Sequence, residues 1–201
     1  MSARLLLVRH GEIDANRDKR WHGSTDSDLT PRGHEQVRRL AAHLARVQRD
    51  VVAVHTSPLR RAQQTARPIA DALDVPLMLS PGLAEFGIGV LENESYADLG
   101  GRHRFFEQIA ADLDWAPSGG ESLGAVAARV VAAWRDIARA HPDAAAVAVS
   151  HGAATAAGLA LLLHQDPRAW TRYHQRNTSV TELELEPTPR VVVFDRIAHL
   201  E

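Results

Sequence analysis

The sequence predicts an α/β fold, a three-layer α/β/α sandwich built on a mostly parallel central sheet with a small inserted cap. Three observations lead there. Short apolar runs recur at 3–8, 51–54, 75–79 and 144–149, and runs of this length with both faces apolar are what strands buried in a parallel sheet display. Stretches with apolar residues at helical spacing lie between them. The first two runs are each followed by a hydroxyl residue and a proline, Thr30-Pro31 and Ser57-Pro58, the signature of an N-cap with proline in the first turn. Strand–helix–strand–helix–strand within the first eighty residues implies parallel strands joined by right-handed crossovers.

The elements follow in order. The run 3–8 is the first strand, and a polar loop occupies 11–28. The next helix starts at Thr30-Pro31 and carries Val37, Leu40, Ala41, Leu44 and Val47 on one stripe. After the strand at 51–54, the helix starting at Ser57-Pro58 turns Ala62, Ala66, Ile69, Ala70 and Leu73 toward the core. A third short strand spans 75–79. Residues 81–120 hold many glycines, prolines and aromatics, among them Phe86, Phe105, Phe106 and Trp115. They read as the cap, inserted over the sheet edge within one domain spanning 1–201. A long helix from about Ser122 to Ala140 presents Leu123, Val126, Val130, Trp134 and Ile137. The strand at 144–149 and a helix at 152–163 come next. The segments 180–185 and 191–194 are a closing hairpin or two edge strands, and the pair is a candidate dimer edge.

Composition narrows the function. The 201 residues are 45% hydrophobic and 24% charged, with a net charge of −2, so no global field favours nucleic acid or an acidic membrane surface. There is no cysteine, which excludes disulfides and thiolate chemistry. No stretch reaches the roughly 18 apolar residues of a membrane span. A cytoplasmic protein without nucleic-acid or membrane partners is the expectation. Eleven histidines are present but no two stand three or four apart, so no helix offers a ready metal-ligand pair.

In an open parallel sheet, ligands bind beyond the carboxyl ends of the strands. Those ends here are Arg9-His10-Gly11, Thr56-Ser57 with Arg60 and Arg61 in the next turn, and Ser150-His151-Gly152. Arginine suits bidentate contact with phosphate, helix N-termini add amide donors, and a histidine among them is a candidate nucleophile. Either histidine alone would more commonly be a structural residue. Their convergence with arginine predicts a phosphate pocket containing a covalent histidine. Helical geometry does not choose between Arg60 and Arg61, which lie at similar angles beside the apolar stripe.

These residues resemble the histidine phosphatase superfamily, which includes cofactor-dependent phosphoglycerate mutases. The matching segments run along nearly the whole chain. They are Leu7-Val8-Arg9-His10-Gly11-Glu12 with Asn16, then Gly23, Asp26, Leu29-Thr30, Gly33 and Gln36, then Ser57-Pro58-Leu59-Arg60-Arg61-Ala62 with Thr65-Ala66. Leu83-Ala84-Glu85, Gly119-Gly120-Glu121-Ser122, Val149-Ser150-His151-Gly152 and a tail with Asn177-Thr178-Ser179-Val180-Thr181 and Ala198-His199-Leu200 complete the set.

The resemblance implies a phosphatase that hydrolyses a small phosphorylated substrate without metal or cofactor. His10 would carry the phosphoryl group. Arg9, Arg61 and His151, with Asn16 and Gly152, would hold the phosphate. Glu85, expected half-buried beside Phe86, would serve as acid and then base. The family pattern selects Arg61 over Arg60. Nearby Arg9 and Arg61 should keep the His10 imidazole neutral, and a dianionic ligand would favour a protonated His151. Mutase-type phosphotransfer and a non-catalytic phosphate-binding module are the alternatives.

Where many members read Gly-x-Trp-Glu-Gly, this chain has Gly89-Val90-Leu91-Glu92-Asn93, and Trp21-His22-Gly23 is also a variant. These departures concern the substrate side, for which Trp21, His22, Gly23 and Arg102 are candidates. Arg102, with His103 and Arg104, is placed to meet an acidic group, although such clusters are usually solvated. Trp21, Phe105, Phe106 and Trp115 either stack on a ring or pack the cap.

Overall fold

The structure is a computed structural model that describes residues 3–48 and 50–201. Its elements run β1 (Arg4–Arg9), α1 (Asp14–Arg17), α2 (Pro31–Val47), β2 (Val51–Thr56), α3 (Arg60–Leu73), β3 (Leu77–Leu79), α4 (Tyr96–Gly100), α5 (Phe105–Ala111), α6 (Leu123–Ala140), β4 (Ala145–Ser150), α7 (Gly152–His164), β5 (Val180–Glu184) and β6 (Arg190–Arg196). The strands form one sheet in the order β3-β2-β4-β1-β5-β6. β1, β2, β3 and β4 are mutually parallel, and β5 and β6 add antiparallel.

Alternation along the strands builds the three layers. Leu6 and Val8 of β1, with Val147 and Val149 of β4, pack against Leu40 and Leu44 of α2 and Ile69 of α3. Leu5 and Leu7, with Ala146 and Ala148, share a cluster with Val130 and Trp134 of α6 and Ala157 and Leu159 of α7. Gly158 of α7 admits that indole closely, since a Cβ there would lie 2.7 Å from it. α7 buries every residue from Ala154 to Ala160, as a helix apolar all round must. Among the described residues no helix is long and apolar enough to cross a membrane.

The helix starts explain the boundaries. The Thr30 hydroxyl accepts from the Gly33 amide with Pro31 at the first position, and Ser122 accepts from Ala125 in the same way. The buried stripe of α2 ends before Val47, which is 45% exposed. Ser57-Pro58 does not open α3. The helix begins at Arg60, and the Ser57 hydroxyl turns instead to the Leu59 amide and to His151. The first free amide of α3, that of Arg60, is met from another loop by Asp26 Oδ1 at 2.8 Å.

The chain after β4 closes the sheet as a hairpin. β5 becomes an inner strand beside β1, leaving β6 outermost with Val192 and Phe194 exposed. Within 81–120, two short 3₁₀ turns, α4 and α5 bring Phe86, Leu99, Phe105 and Ile109 into one cluster with the α6–α7 core.

Candidate active site

The carboxyl ends of β1 and β4 are neighbours, with Arg9 paired to Ser150. His10 and His151 therefore emerge side by side, their ring centroids 5.2 Å apart. The His10 amide donates to the Ser150 carbonyl at 3.1 Å. Its Nδ1 lies 2.7 Å from the carbonyl oxygen of Gly11. A carbonyl only accepts, so Nδ1 carries the proton and Nε2 keeps its lone pair. Burial, then the charges of Arg61 and Arg9, hold the His10 pKa well below its ordinary value. The ring is thus a neutral imidazole with one free nitrogen.

Arg9 stands beside it. Its Nη1 donates to the Gln175 carbonyl, while its Nε is shielded from solvent and has no partner among the described residues. Burial lowers its pKa, against the charges of Tyr96, Glu85 and Asp195. A guanidinium with an unpartnered buried donor at the mouth of a cavity is built for an anion. Gly152 makes room for it, because a Cβ there would stand 3.3 Å from both Cζ and Nε.

Arg61 is fully buried under the site. Nε donates to His151 Nδ1 at 3.2 Å, Nη1 to the Thr25 carbonyl at 2.7 Å, and Nη2 to the carbonyls of His22 and Gly23. Four of its five N–H groups therefore serve the protein. The choice left open by helical geometry is resolved here, for Arg60 is exposed and pairs with Asp28. Accepting from Arg61 leaves His151 with its proton on Nε2, which faces Ser57 Oγ at 2.8 Å. Burial, then Arg61, depress the His151 pKa as well. Both residues back onto His10, and neither lines the cavity.

Glu85 comes from the other side. Its carboxylate accepts the amides of Phe86 at 2.8 Å, Ala154 at 2.7 Å and Ala153 at 3.2 Å, the last two at the N-terminus of α7. Half-buried, it lines the cavity with His10, Arg9, Asn16 and Gly152. The loop that carries it is tied down by Arg129, which donates to the carbonyls of Gly82, Ala84 and Glu85 and pairs with Glu121. The Asn16 oxygen is fixed by the Ile13 amide and Asn177 Nδ2, so its amide nitrogen is left for a ligand.

The cavity, about 440 Å³, extends past the phosphate corner to Trp21, His22, Tyr96, Phe106 and Trp170. Trp21 is buried, and its indole N–H donates to the Phe86 carbonyl at 3.0 Å. Gly23 lies behind the wall. Its amide donates to Glu92, and a Cβ would come within 2.3 Å of the Phe86 oxygen. Arg102, like Gly23, is a substrate-side candidate that does not line the cavity. It is exposed, and Glu94 draws its guanidinium to 2.8 Å, away from the lining. Arg104 is likewise taken up by Glu107. Of the four aromatics named from the sequence, Trp21 and Phe106 line the cavity, while Phe105 and Trp115 pack behind it.

Several residues here carry no local sequence signal. Tyr96, Trp170 and His174 reach the cavity only through folding of distant segments. Glu92 accepts the amides of Gly23, Ser24, Thr25 and Ile88, and so holds the loop whose carbonyls grip Arg61. Asn177 donates to the His10 carbonyl, and the Thr178 amide donates to that of Arg9. Thr178 does so at φ +58, a left-handed conformation that costs a β-branched residue on the order of 1–3 kcal/mol. The tail motif is thus a clasp on the nucleophile's strand.

Four buried histidines make stability depend on pH. His10 and His151 are depressed as above, and burial takes His55 (beside His141) and His199 (beside His43) to about 4. Unfolded histidines titrate near 6.5. As pH falls below 6.5, the unfolded chain binds protons that the folded chain refuses. Stability present at neutral pH is therefore lost over the window from 6.5 downward, to about 4 for His55 and His199, with each group adding up to about 1.4 kcal/mol per pH unit. Urea midpoints should drop steeply between pH 7 and pH 5, and an unchanged midpoint would contradict this.

Comparison with known proteins agrees with the geometry. The probable phosphoglycerate mutase GpmB of Enterobacter sp. (strain 638) is 32% identical over 187 residues, covering 92% of this chain and 86% of the relative. The putative phosphoserine phosphatase 2 of Hydrogenobacter thermophilus is 28% identical over 199 residues, covering 98% and 97%. Among solved structures, the phosphoserine phosphatase of Entamoeba histolytica in complex with 3-phosphoglyceric acid superposes with a TM-score of 0.87 at 27% identity, covering 99% of this chain and all of that one. With residues 5–195 matching the family as a whole, the chain belongs to the histidine phosphatase superfamily (branch 1).

Proposed function

We propose that the protein hydrolyses phosphate monoesters of a small metabolite through a phosphohistidine at His10. The observation that carries this reading is the His10 ring, with Nδ1–H tied to Gly11 and Nε2 free beside the unpartnered Arg9 donor. The relatives named as phosphatases support the same reaction.

In the first step Nε2 attacks phosphorus and the P–O bond to the leaving group breaks. The departing oxygen takes a proton from Glu85. In the second step the Glu85 carboxylate takes a proton from water, the resulting hydroxide attacks phosphorus, and the P–N bond breaks to return neutral His10 and inorganic phosphate. Arg9 and Asn16 hold the phosphoryl oxygens. Arg61 and His151 stabilise their growing charge from behind the ring.

Relatives named as mutases favour a second reading, transfer between the hydroxyls of phosphoglycerate. A mutase must keep its phosphohistidine from water. Exposed Arg20, Tyr96 and Arg168 stand on the cavity wall, which supports hydrolysis. The test is to incubate the enzyme with 3-phosphoglycerate and with unrelated monoesters. Release of inorganic phosphate from the monoesters, through an acid-labile phosphoenzyme, supports the phosphatase. Isomerised phosphoglycerate without phosphate release supports the mutase.

Glu85→Gln keeps one oxygen for the amides of Phe86 and Ala154, gives up the contact with that of Ala153, and has no proton to exchange. For an alkyl ester such as glycerol phosphate, kcat should fall by about 10²–10⁴. Formation of the phosphoenzyme from p-nitrophenyl phosphate, whose leaving group needs no acid, should fall far less. Equal losses with both substrates in the single-turnover burst would remove Glu85 as the acid.

A further inference from the structure

The cavity is much larger than phosphate chemistry needs. Its volume of about 440 Å³ lies within the range of small-molecule sites, whereas the phosphate corner involves only His10, Arg9, Asn16, Glu85 and Gly152 of its lining. Around the remaining space, aromatic rings stand among polar residues such as His22, His174 and Thr171. Trp21, Tyr96, Phe106 and Trp170 all line it. Their ring centroids form one contiguous wall, with Trp21 at 5.7 Å from Tyr96, 6.4 Å from Phe106 and 6.2 Å from Trp170, and Phe106 at 6.3 Å from Trp170.

Two kinds of aromatic residue meet in this region. Phe86 and Phe105 are fully buried and do the packing. Trp21 is buried too but touches the cavity, Tyr96 is 46% exposed, and Phe106 and Trp170 are only partly buried. Aromatic rings that pack one face on the core and leave surface open in a concave site mark a binding wall.

Exposed cationic side chains, Arg20 and Arg168, share this wall. Arg20 donates to the Asn93 carbonyl at 2.8 Å. Arg168 donates to the Ala110 carbonyl at 2.8 Å and pairs with Asp166. Each guanidinium keeps further N–H donors beyond these bonds, so the wall offers cationic groups beside its aromatic surface.

We propose that the substrate is the phosphate ester of an alcohol bearing a planar, largely apolar ring, which seats against Trp21, Tyr96, Phe106 and Trp170 while the phosphate meets His10. The proposal rests on the phosphatase reading and names the substrate class of that site. A three-carbon acid phosphate would leave the aromatic wall uncovered.

The test separates the ring from the chemistry by using phosphonates, which bind and do not turn over. Calorimetric titration of the full-length protein compares 2-phenylethylphosphonate with ethylphosphonate, which differ only in the ring. The ring compound should bind at least about tenfold more tightly, as aromatic seating predicts. Trp170→Ala should shrink that preference to about twofold and Trp170→Phe should restore it. Phe106→Leu serves as a second probe should the alanine variant fail to fold. Equal binding of the two phosphonates, or tighter binding of 3-phosphoglycerate than of the ring compound, overturns the proposal and leaves the phosphatase reading standing. Ring-selective binding in an enzyme that hydrolyses no monoester would keep the proposal and remove the phosphatase reading instead.

Discussion

His10→Ala is expected to abolish phosphoenzyme formation and to lower kcat/KM on the order of 10⁶-fold, the scale seen when a covalent nucleophile is removed. The size follows from the geometry. Nε2 is the one atom placed to attack, since Nδ1 is committed to Gly11 and the neighbouring imidazole of His151 has both nitrogens engaged, by Arg61 and Ser57. No second nucleophile stands ready to replace it. The fold should survive. The His10 amide bond to Ser150 and the Asn177 bond to the His10 carbonyl are unaffected by the side chain. What is lost is one buried hydrogen bond, roughly 1–3 kcal/mol for the carbonyl left unpaired.

Two measurements check this. Acid-quenched single turnovers should show no labelled protein, and the melting temperature at neutral pH should fall by no more than about 12 °C, at about 2–4 °C per kcal/mol. The variant should also lose less stability than wild type between pH 7 and pH 5, because one of the histidines that refuses a proton in the folded state is gone. Retained activity in His10→Ala would refute the mechanism.

Arg61→Met is expected to cost both activity and stability. Its guanidinium satisfies the carbonyls of His22, Gly23 and Thr25 and the Nδ1 of His151. Removing it leaves those acceptors buried without donors, so a loss of about 3 kcal/mol or more is expected. It also removes the positive charge that, after burial, does most to keep His10 neutral. Without it the His10 pKa rises toward 6.5, and the imidazolium, which cannot attack, becomes populated as pH falls.

The loss in kcat/KM should be about 10³-fold at pH 8, the scale of removing one charge-stabilising group, and larger at pH 6. The acid limb of the pH–rate profile should move upward relative to wild type. Arg61→Lys keeps the charge but not the fork, so it should hold the limb near its wild-type position while still lowering stability. An unmoved limb in the methionine variant would mean that Arg61 does not set the ionisation of His10.

Much of this was written in the chain order itself. Apolar runs with both faces greasy identified β1, β2 and β4, because a strand covered on both sides has no other way to be composed. Thr30 marked the start of α2 because its hydroxyl satisfies the otherwise unpaired Gly33 amide. The rule that ligands lie beyond strand carboxyl ends brought His10, the Arg60-Arg61 pair and His151 together from the sequence, since parallel neighbours must end on the same side.

Tertiary structure decided what depends on distant partners. Ser57 resembles a cap in isolation, but His151, 94 residues away, claims its hydroxyl. Arg60 and Arg61 are equivalent on a bare helix. Only the carbonyls of the 22–25 loop, held in place by Glu92, make one of them a buried cation. Arg102 points to a substrate only until Glu94 takes its charge. Tyr96 and Trp170, far apart in the chain, become one wall because the cap and the segment after α7 fold over the same corner. Local sequence specifies what a residue can bond to within a few positions. Which of several bonding options is realised depends on the groups that folding brings near, and no spacing along the chain encodes that.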